Sequence, residues 1–336
     1  MKTLFGRRLA GATALSVAIL SVATVTGATT LAPTLAQIKS DVAASVLLTN
    51  VNGATSLPPL TSMTRLDTQI VIDQSCYNTV FSFAVPSNAS TLCAFGQLNA
   101  ARTILLTGDS QAAMWSPTLK AFGAANGWKI VMLAKSGCGP WGNPNPLSFV
   151  IFETMTVAEC NTWNQNVASW AGAHHPKVVV MVGRGYPLGA DHDKAPVLLT
   201  LESEIAATAT RFTASHARLI VLSPIPRFTP YDSTYVPSDC ASIPNSLQKC
   251  QLSFLKIVPQ VEFQADSHEA KIGKIKLALV TPLFCTGTAA TDRCTVIMKD
   301  GANVHLMYFD GSHINRFFAT WVLPAFVSIL HPLLPR

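Results

Sequence analysis

The stretch Leu106-Thr-Gly-Asp-Ser-Gln-Ala-Ala-Met-Trp115 ends an apolar, β-branched run in a serine and changes at once to helix-forming residues. A serine hydroxyl is a weak nucleophile at neutral pH unless a base takes its proton, and that base is usually a histidine held by a carboxylate. Eight histidines are available, at 174, 175, 192, 216, 268, 305, 313 and 331. His174 and His175 read as solvated residues of a turn, and His216 and His268 lie in polar stretches. His192 sits between Asp191 and Asp193, a spacing that fits a surface turn better than a metal site. His331 is near the terminus, and His305 falls in an alternating, strand-like run. His313 alone has a carboxylate at turn spacing: Met307-Tyr-Phe-Asp-Gly-Ser-His313 places Asp310 three residues earlier, with Gly311 between. A turn there brings the carboxylate onto one ring nitrogen and leaves the other to face Ser110. Asp109, beside Ser110, reads as a structural residue that hydrogen-bonds the turn.

Positions 110, 310 and 313 can meet only if the fold brings them together. From residue 101 onward, short β-rich runs alternate with longer helical ones, the pattern of a parallel sheet with crossover helices. Strands are expected at Arg102–Thr107, Trp128–Leu133, Lys177–Val182, Leu219–Leu222 and Ile275–Val280. Helices are expected over Pro117–Asn126 with Ser116 as N-cap, ending at Val167–Ala173, and over Pro196–Ser215. The chain should close on one apolar helix, Ile314–Leu330, kinked at Pro324. Residues 37–51 carry a helical apolar pattern, and 52–100 are rich in Ser, Thr, Asn and Pro, so 37–100 reads as a loop-rich lead-in to a domain over 101–336. There is no internal repeat and no long low-complexity linker. Open parallel sheets bind ligands at the carboxyl ends of their strands, which is where Ser110 falls.

Of 336 residues, 49% are hydrophobic and only 12% charged, which excludes a disordered chain and supports a large core. Lys2, Arg7 and Arg8 precede an apolar run from Leu9 to about Val25 and then small residues, the layout of a secretory signal peptide over 1–36 with cleavage expected after Ala36 in preference to Ala28, and an uncleaved membrane anchor as the alternative. Beyond it, 21 basic residues face 18 acidic ones, too weak an excess for a nucleic-acid partner. All eight cysteines follow this leader, and an even number in an exported chain points to disulfides. No C-x-x-C pair seeds a zinc site, and no cofactor is expected. Pairing of sequence neighbours is the expectation: Cys76 with Cys93, Cys138 with Cys160, Cys240 with Cys250, and Cys285 with Cys294.

Gly-Asp-Ser after a first strand, with Asp-x-x-His before the last helix, resembles the SGNH (GDSL-like) hydrolases. One branch is a nearer match: the extracytoplasmic SGNH domain often fused to membrane acyltransferases that O-acylate cell-envelope polysaccharides. Its first block looks like GDSHAAQW-x-PAL, and here it is Gly108-Asp-Ser-Gln-Ala-Ala-Met-Trp-Ser-Pro-Thr-Leu119. Cys93-Ala-Phe-Gly96, Gly127-Trp128, Lys135-Ser-Gly-Cys138 and Cys160-Asn-Thr-Trp163 are similar too, and the resemblance spans about residues 40 to 336.

The resemblance implies a three-layer α/β/α domain with a central parallel sheet of flavodoxin-like form. It implies Ser110 as nucleophile, His313 as general base and acid, and Asp310 orienting His313. The implied activity is that of a secreted or envelope-associated esterase or O-acyltransferase working through an acyl-enzyme on acyl, chiefly acetyl, esters of envelope glycans or glycolipids. Oxyanion donors are expected at the Ser110 amide, at an amide near Gly137, and at Arg184. Gly183-Arg-Gly-Tyr186 departs from the family's G-x-N-D, because Gly185 stands where an oxyanion-donating Asn is usual. Gln111 stands where the nearer branch has His, a change expected to bear on substrate contacts and not on the triad. The sequence shows no membrane-spanning acyltransferase segment, so the domain is expected to act alone or with a separately encoded membrane acyltransferase. The alternative is an SGNH-fold carbohydrate-binding or accessory module with weak or no catalysis, favoured by the missing Asn and opposed by the intact Ser, Asp and His.

Overall fold

A computed structural model of the protein describes residues 33–51, 54–57, 76–78, 83–141, 156–183, 195–228, 240 and 247–336. The leader expected over 1–36 lies outside these residues as far as residue 32, as do Arg184, Gly185 and the Asp191–Asp193 turn. Thr34 accepts a hydrogen bond from the Gln37 amide at 3.2 Å and so caps α1 (Leu35–Ser45), which puts the expected cleavage point inside the first turn of a helix.

The first half of the chain then forms β1 (Thr55–Leu57), β2 (Tyr77–Asn78), α2 (Ala89–Leu92), β3 (Ala94–Gly96), β4 (Thr103–Gly108), α3 (Ser110–Met114), α4 (Ser116–Asn126), β5 (Lys129–Lys135), α5 (Val157–His174) and β6 (Val178–Val182). The second half forms α6 (Ala195–Arg211), β7 (Arg218–Leu222), β8 (Leu252–Ser253), α7 (Phe254–Ile257), α8 (Gln260–Lys271), β9 (Lys276–Ala278), β10 (Arg293–Cys294), β11 (Ile297–Asp300), β12 (Asn303–Leu306), α9 (Arg316–Trp321) and α10 (Leu323–Leu330).

The main sheet runs β2-β5-β4-β6-β7-β9 with every pair parallel, and β3 adds antiparallel to β5. Read from β4 onward, this is the doubly wound order in which the first strand lies between the second and the third. Val178, Val180 and Val182 of β6 face one core with Ile104, Leu106, Trp115, Leu119, Phe122, Phe318 and Phe326. Val179 and Met181 face the other with Leu105, Trp163, Val167, Leu201, Ile205 and Ala265. Successive strand residues point to opposite faces, so helices must cover both, and a central strand reads as an unbroken apolar run. The result is a three-layer α/β/α sandwich.

Three local expectations are corrected. Ser116 does not cap α4: α3 ends at Met114, Trp115 takes the cap position with helical angles, and Ser116 is the first helical residue. The terminal helix is two helices, broken at Val322, with Pro324 in the first turn of α10. A proline ring collides with the carbonyl four residues earlier, so it starts a helix more readily than it continues one. The fifth strand is shorter than Ile275–Val280 and spans Lys276–Ala278.

A second sheet of three strands, β1-β12-β11, stands apart from the main one. The Ser45 hydroxyl of α1 accepts from the Lys299 amide of β11 at 2.9 Å, and Ile38 and Val42 are fully buried, so α1 is part of the body of the domain. β12 matters most for function, since Met307 to Asn315 leave its end. All four neighbouring cysteine pairs form disulfides: Cys76–Cys93, Cys138–Cys160, Cys240–Cys250 and Cys285–Cys294.

Candidate active site

The candidate nucleophile turn is built by the sheet. β4 is paired on both sides, and its last residue, Gly108, has φ +138°, a conformation that side chains rarely adopt. A Cβ there would lie 1.7 Å from the Val182 carbonyl oxygen, so only glycine lets β4 end this close to β6. Asp109 follows in extended conformation, and its carboxylate caps α3 by accepting from the Gln111 amide at 2.8 Å, the structural role expected of it. Ser110 is thereby delivered at the carboxyl edge, between the first and third strands of the doubly wound order, where such sheets switch direction and bind ligands.

The candidate acid–base turn reaches the same place from β12. His313 Nε2 lies 2.8 Å from Ser110 Oγ, across 203 positions of sequence. His313 Nδ1 lies 2.8 Å from Asp310 Oδ2 and 3.0 Å from Oδ1. An ionised carboxylate only accepts, so Nδ1 carries the proton and Nε2 is left to accept from the serine hydroxyl. Asp310 Oδ1 also accepts the amides of Ser312 and His313, each at 2.7 Å. Burial pushes this carboxyl up, but the hydrogen bond and charge of His313, with those two amides, outweigh it and hold the pKa at about 2. The carboxylate therefore stays charged across the physiological range.

The hydrogen bonds around Ser110 show which backbone amides are already committed. Among the described residues the amides around the nucleophile have acceptors: Asp109 donates to Val182 O, Gln111 to the Asp109 side chain, and Ala112 and Ala113 to Asp109 O. The Ser110 amide has no acceptor among the described residues, which leaves it able to meet a developing negative charge. Gly137, at φ +73°, lies in the turn after β5, and because Gly108 pairs with Ala134 this turn leaves the same sheet edge. The Asn164 side chain donates to Gly139 O at 2.8 Å, and the Cys138–Cys160 disulfide joins the same loop to α5.

Several residues that hold the site carried no sequence signal. The Gln111 side-chain amide donates to Ser312 O at 2.6 Å, which corrects the expectation that this side chain bears on substrate. The Phe228 amide donates to Gly311 O at 2.6 Å, and the Tyr308 hydroxyl to Pro226 O at 3.0 Å. The Asn315 side-chain amide donates to Leu306 O, while its carbonyl oxygen accepts from the Phe318 amide at 2.8 Å and caps α9. Asn directly before an apolar helix was the one readable cue among them. His305 is a strand residue of β12, as its alternating run suggests. It stacks on Trp321 at 3.8 Å between ring centroids, and burial pushes its pKa down.

Comparison with known protein families matches the SGNH domain (fused to AT3 domains) over residues 75–328. This chain belongs to that family. Among solved structures, the SGNH domain here is similar to the periplasmic domain of a lipopolysaccharide acetyltransferase from Salmonella ser. Paratyphi A. The two are 17% identical with a TM-score of 0.51, covering 74% of this chain and 89% of the other. A second similar structure is TesA, 19% identical with a TM-score of 0.39, covering 69% of this chain and 100% of the other. Comparison with characterised protein sequences finds no match. Among the described residues of this SGNH domain, no helix is long and apolar enough to cross a membrane, and no group of three or more His, Cys, Asp or Glu could hold a metal ion.

Proposed function

We propose that this SGNH domain is an extracytoplasmic serine esterase or O-acyltransferase that works through an acyl-enzyme on Ser110. The observation that carries this reading is the unbroken relay Ser110 Oγ–His313 Nε2 and His313 Nδ1–Asp310 Oδ2, 2.8 Å at each step. Ser110 Oγ attacks the ester carbonyl as its proton passes to His313 Nε2, and Asp310 stabilises the imidazolium. The tetrahedral intermediate places its oxyanion on the Ser110 amide, with the Gly137 turn and Arg184 as the further donors; each such donor is typically worth about 3 kcal/mol of barrier. Collapse expels the alcohol, which takes the proton from His313. Water or a sugar hydroxyl then gives its proton to His313 and attacks the acyl carbon. The acyl group leaves as free acid or as a new ester, and the proton returns to Ser110.

Transfer and hydrolysis differ only in which hydroxyl reaches the acyl-enzyme. The four disulfides fit an oxidising compartment. The lipopolysaccharide acetyltransferase whose periplasmic domain has a similar fold makes acetylated envelope glycans and glycolipids the first substrates to test, with a separately encoded membrane acyltransferase as partner. Turnover of p-nitrophenyl acetate by the wild type and by Ser110→Ala tests the reaction. Equal rates for the two overturn the enzyme reading and leave the accessory-module one. Acetate release from purified envelope fractions then tests the substrate class.

A further inference from the structure

Gln111 is the covalent neighbour of the nucleophile, yet its side chain is only 4% exposed and points into the protein. Its Nε2 donates to Ser312 O at 2.6 Å, joining the first turn of α3 to the acid–base turn. That acceptor matters because the Ser312 carbonyl and the His313 amide belong to one planar peptide unit. The amide end of the plane donates to Asp310 Oδ1 at 2.7 Å, and Ser312 gives its own amide at 2.7 Å and its hydroxyl at 3.2 Å to the same oxygen. Holding the carbonyl end fixes the direction in which the amide end points. The backbone of Gln111 is tied as well, by its amide to Asp109.

We propose that Gln111 is a positioning residue that locks the Ser312–His313 peptide plane to the nucleophile turn, so that Asp310, His313 and Ser110 keep one mutual geometry. This rests on the acyl-transfer reading of Ser110. The carbonyl requires a donor, and of side chains this size the uncharged amide offers one without burying a charge. A shift of the plane lengthens the contacts of the relay while leaving the substrate surface alone, because Gln111 is turned away from it. Its loss therefore lowers kcat and leaves KM.

Gln111→Met keeps the length and packing of the side chain and removes only the donor. Gln111→Leu removes the donor by a second route, with an apolar side chain of different shape. The full chain is treated with a fluorophosphonate probe, which labels an activated serine, and is assayed in parallel with p-nitrophenyl acetate. In both variants the labelling rate and kcat should fall together by about ten- to a hundredfold, a size typical of small misplacements in a reacting group. KM should stay within about twofold of wild type. Labelling and kcat within about twofold of wild type in a folded variant overturn the proposal, as does a defect confined to KM. Wild type that labels no faster than Ser110→Ala overturns instead the reading of Ser110 as nucleophile.

Discussion

The two turns that meet at the relay are held in opposite ways. The nucleophile turn, Gly108 to Gln111, is fixed by what lies next to it in sequence and in the sheet: a glycine against Val182, an aspartate capping its own helix, and a strand paired on both edges. The acid–base turn, Met307 to Asn315, hangs from the end of a three-stranded side sheet. It is tied down by single hydrogen bonds from Gln111, Phe228 and Asn315, and by the Tyr308 hydroxyl. A nucleophile placed by the central sheet is hard to displace without unfolding the domain. A base placed by separate hydrogen bonds can be displaced one bond at a time, so variants in the two turns should fail differently.

Gly108→Ala tests the first half of that contrast and should have the largest effect. The added Cβ has no room beside Val182 O, so the variant should lose more than about 4 kcal/mol and, in this setting, its cooperative thermal unfolding transition and activity together. A well-folded Gly108→Ala with normal melting would mean the turn is less rigid than described. Asp310→Asn should keep the fold and lower kcat by roughly a thousandfold or more, since an amide beside Nδ1 can favour the wrong tautomer. Steady-state kinetics beside a melting curve would separate the two effects.

Asn315→Ala lies between these extremes. It removes a helix cap and strands the Leu306 carbonyl, so about 2 kcal/mol of stability should go, read as a lower melting temperature. Some loss of kcat should follow because the turn is loosened. The smallest effect concerns pH. A carboxyl held at about 2 when folded, against an ordinary value of 3.8, contributes stability that is complete above the ordinary value and is lost as pH falls towards 2. Melting temperature should therefore drop on acidification below about pH 4, with a shallower slope in Asp310→Asn. Identical slopes in the two proteins would show that the ties around Asp310 contribute nothing to acid stability.

What could be read from the sequence follows the same division. β4 and β6 announce themselves because a strand covered on both faces must be apolar throughout, and Ser110 and the Asp310–His313 pair stand out by residue type and spacing. The ties on the acid–base turn were invisible, because one glutamine reaching across 201 positions leaves no periodic trace. α8 was missed for a different reason. Glu262, Asp266 and Glu269 take inward positions on it, so its buried face reads as polar. Burial first, and the charge of Glu262 second, push the Asp266 carboxyl well up. β1, β2 and the β8–β10 pair are two or three residues long, below what alternation of side chains can signal.

The outer edge of β5 bears on the fate of the chain before it folds. Its Met132 and Ala134 amides donate to Cys93 O and Cys76 O, each at 3.0 Å, and the bond between those two cysteines clips both short segments onto the edge. In a reducing environment the clip opens, and a flat apolar strand offers its amides to any neighbouring chain. Folding the protein under reducing conditions is therefore expected to favour pairing along this edge, read as concentration-dependent oligomers. Oxidative folding serves here as protection against self-association as much as a source of stability.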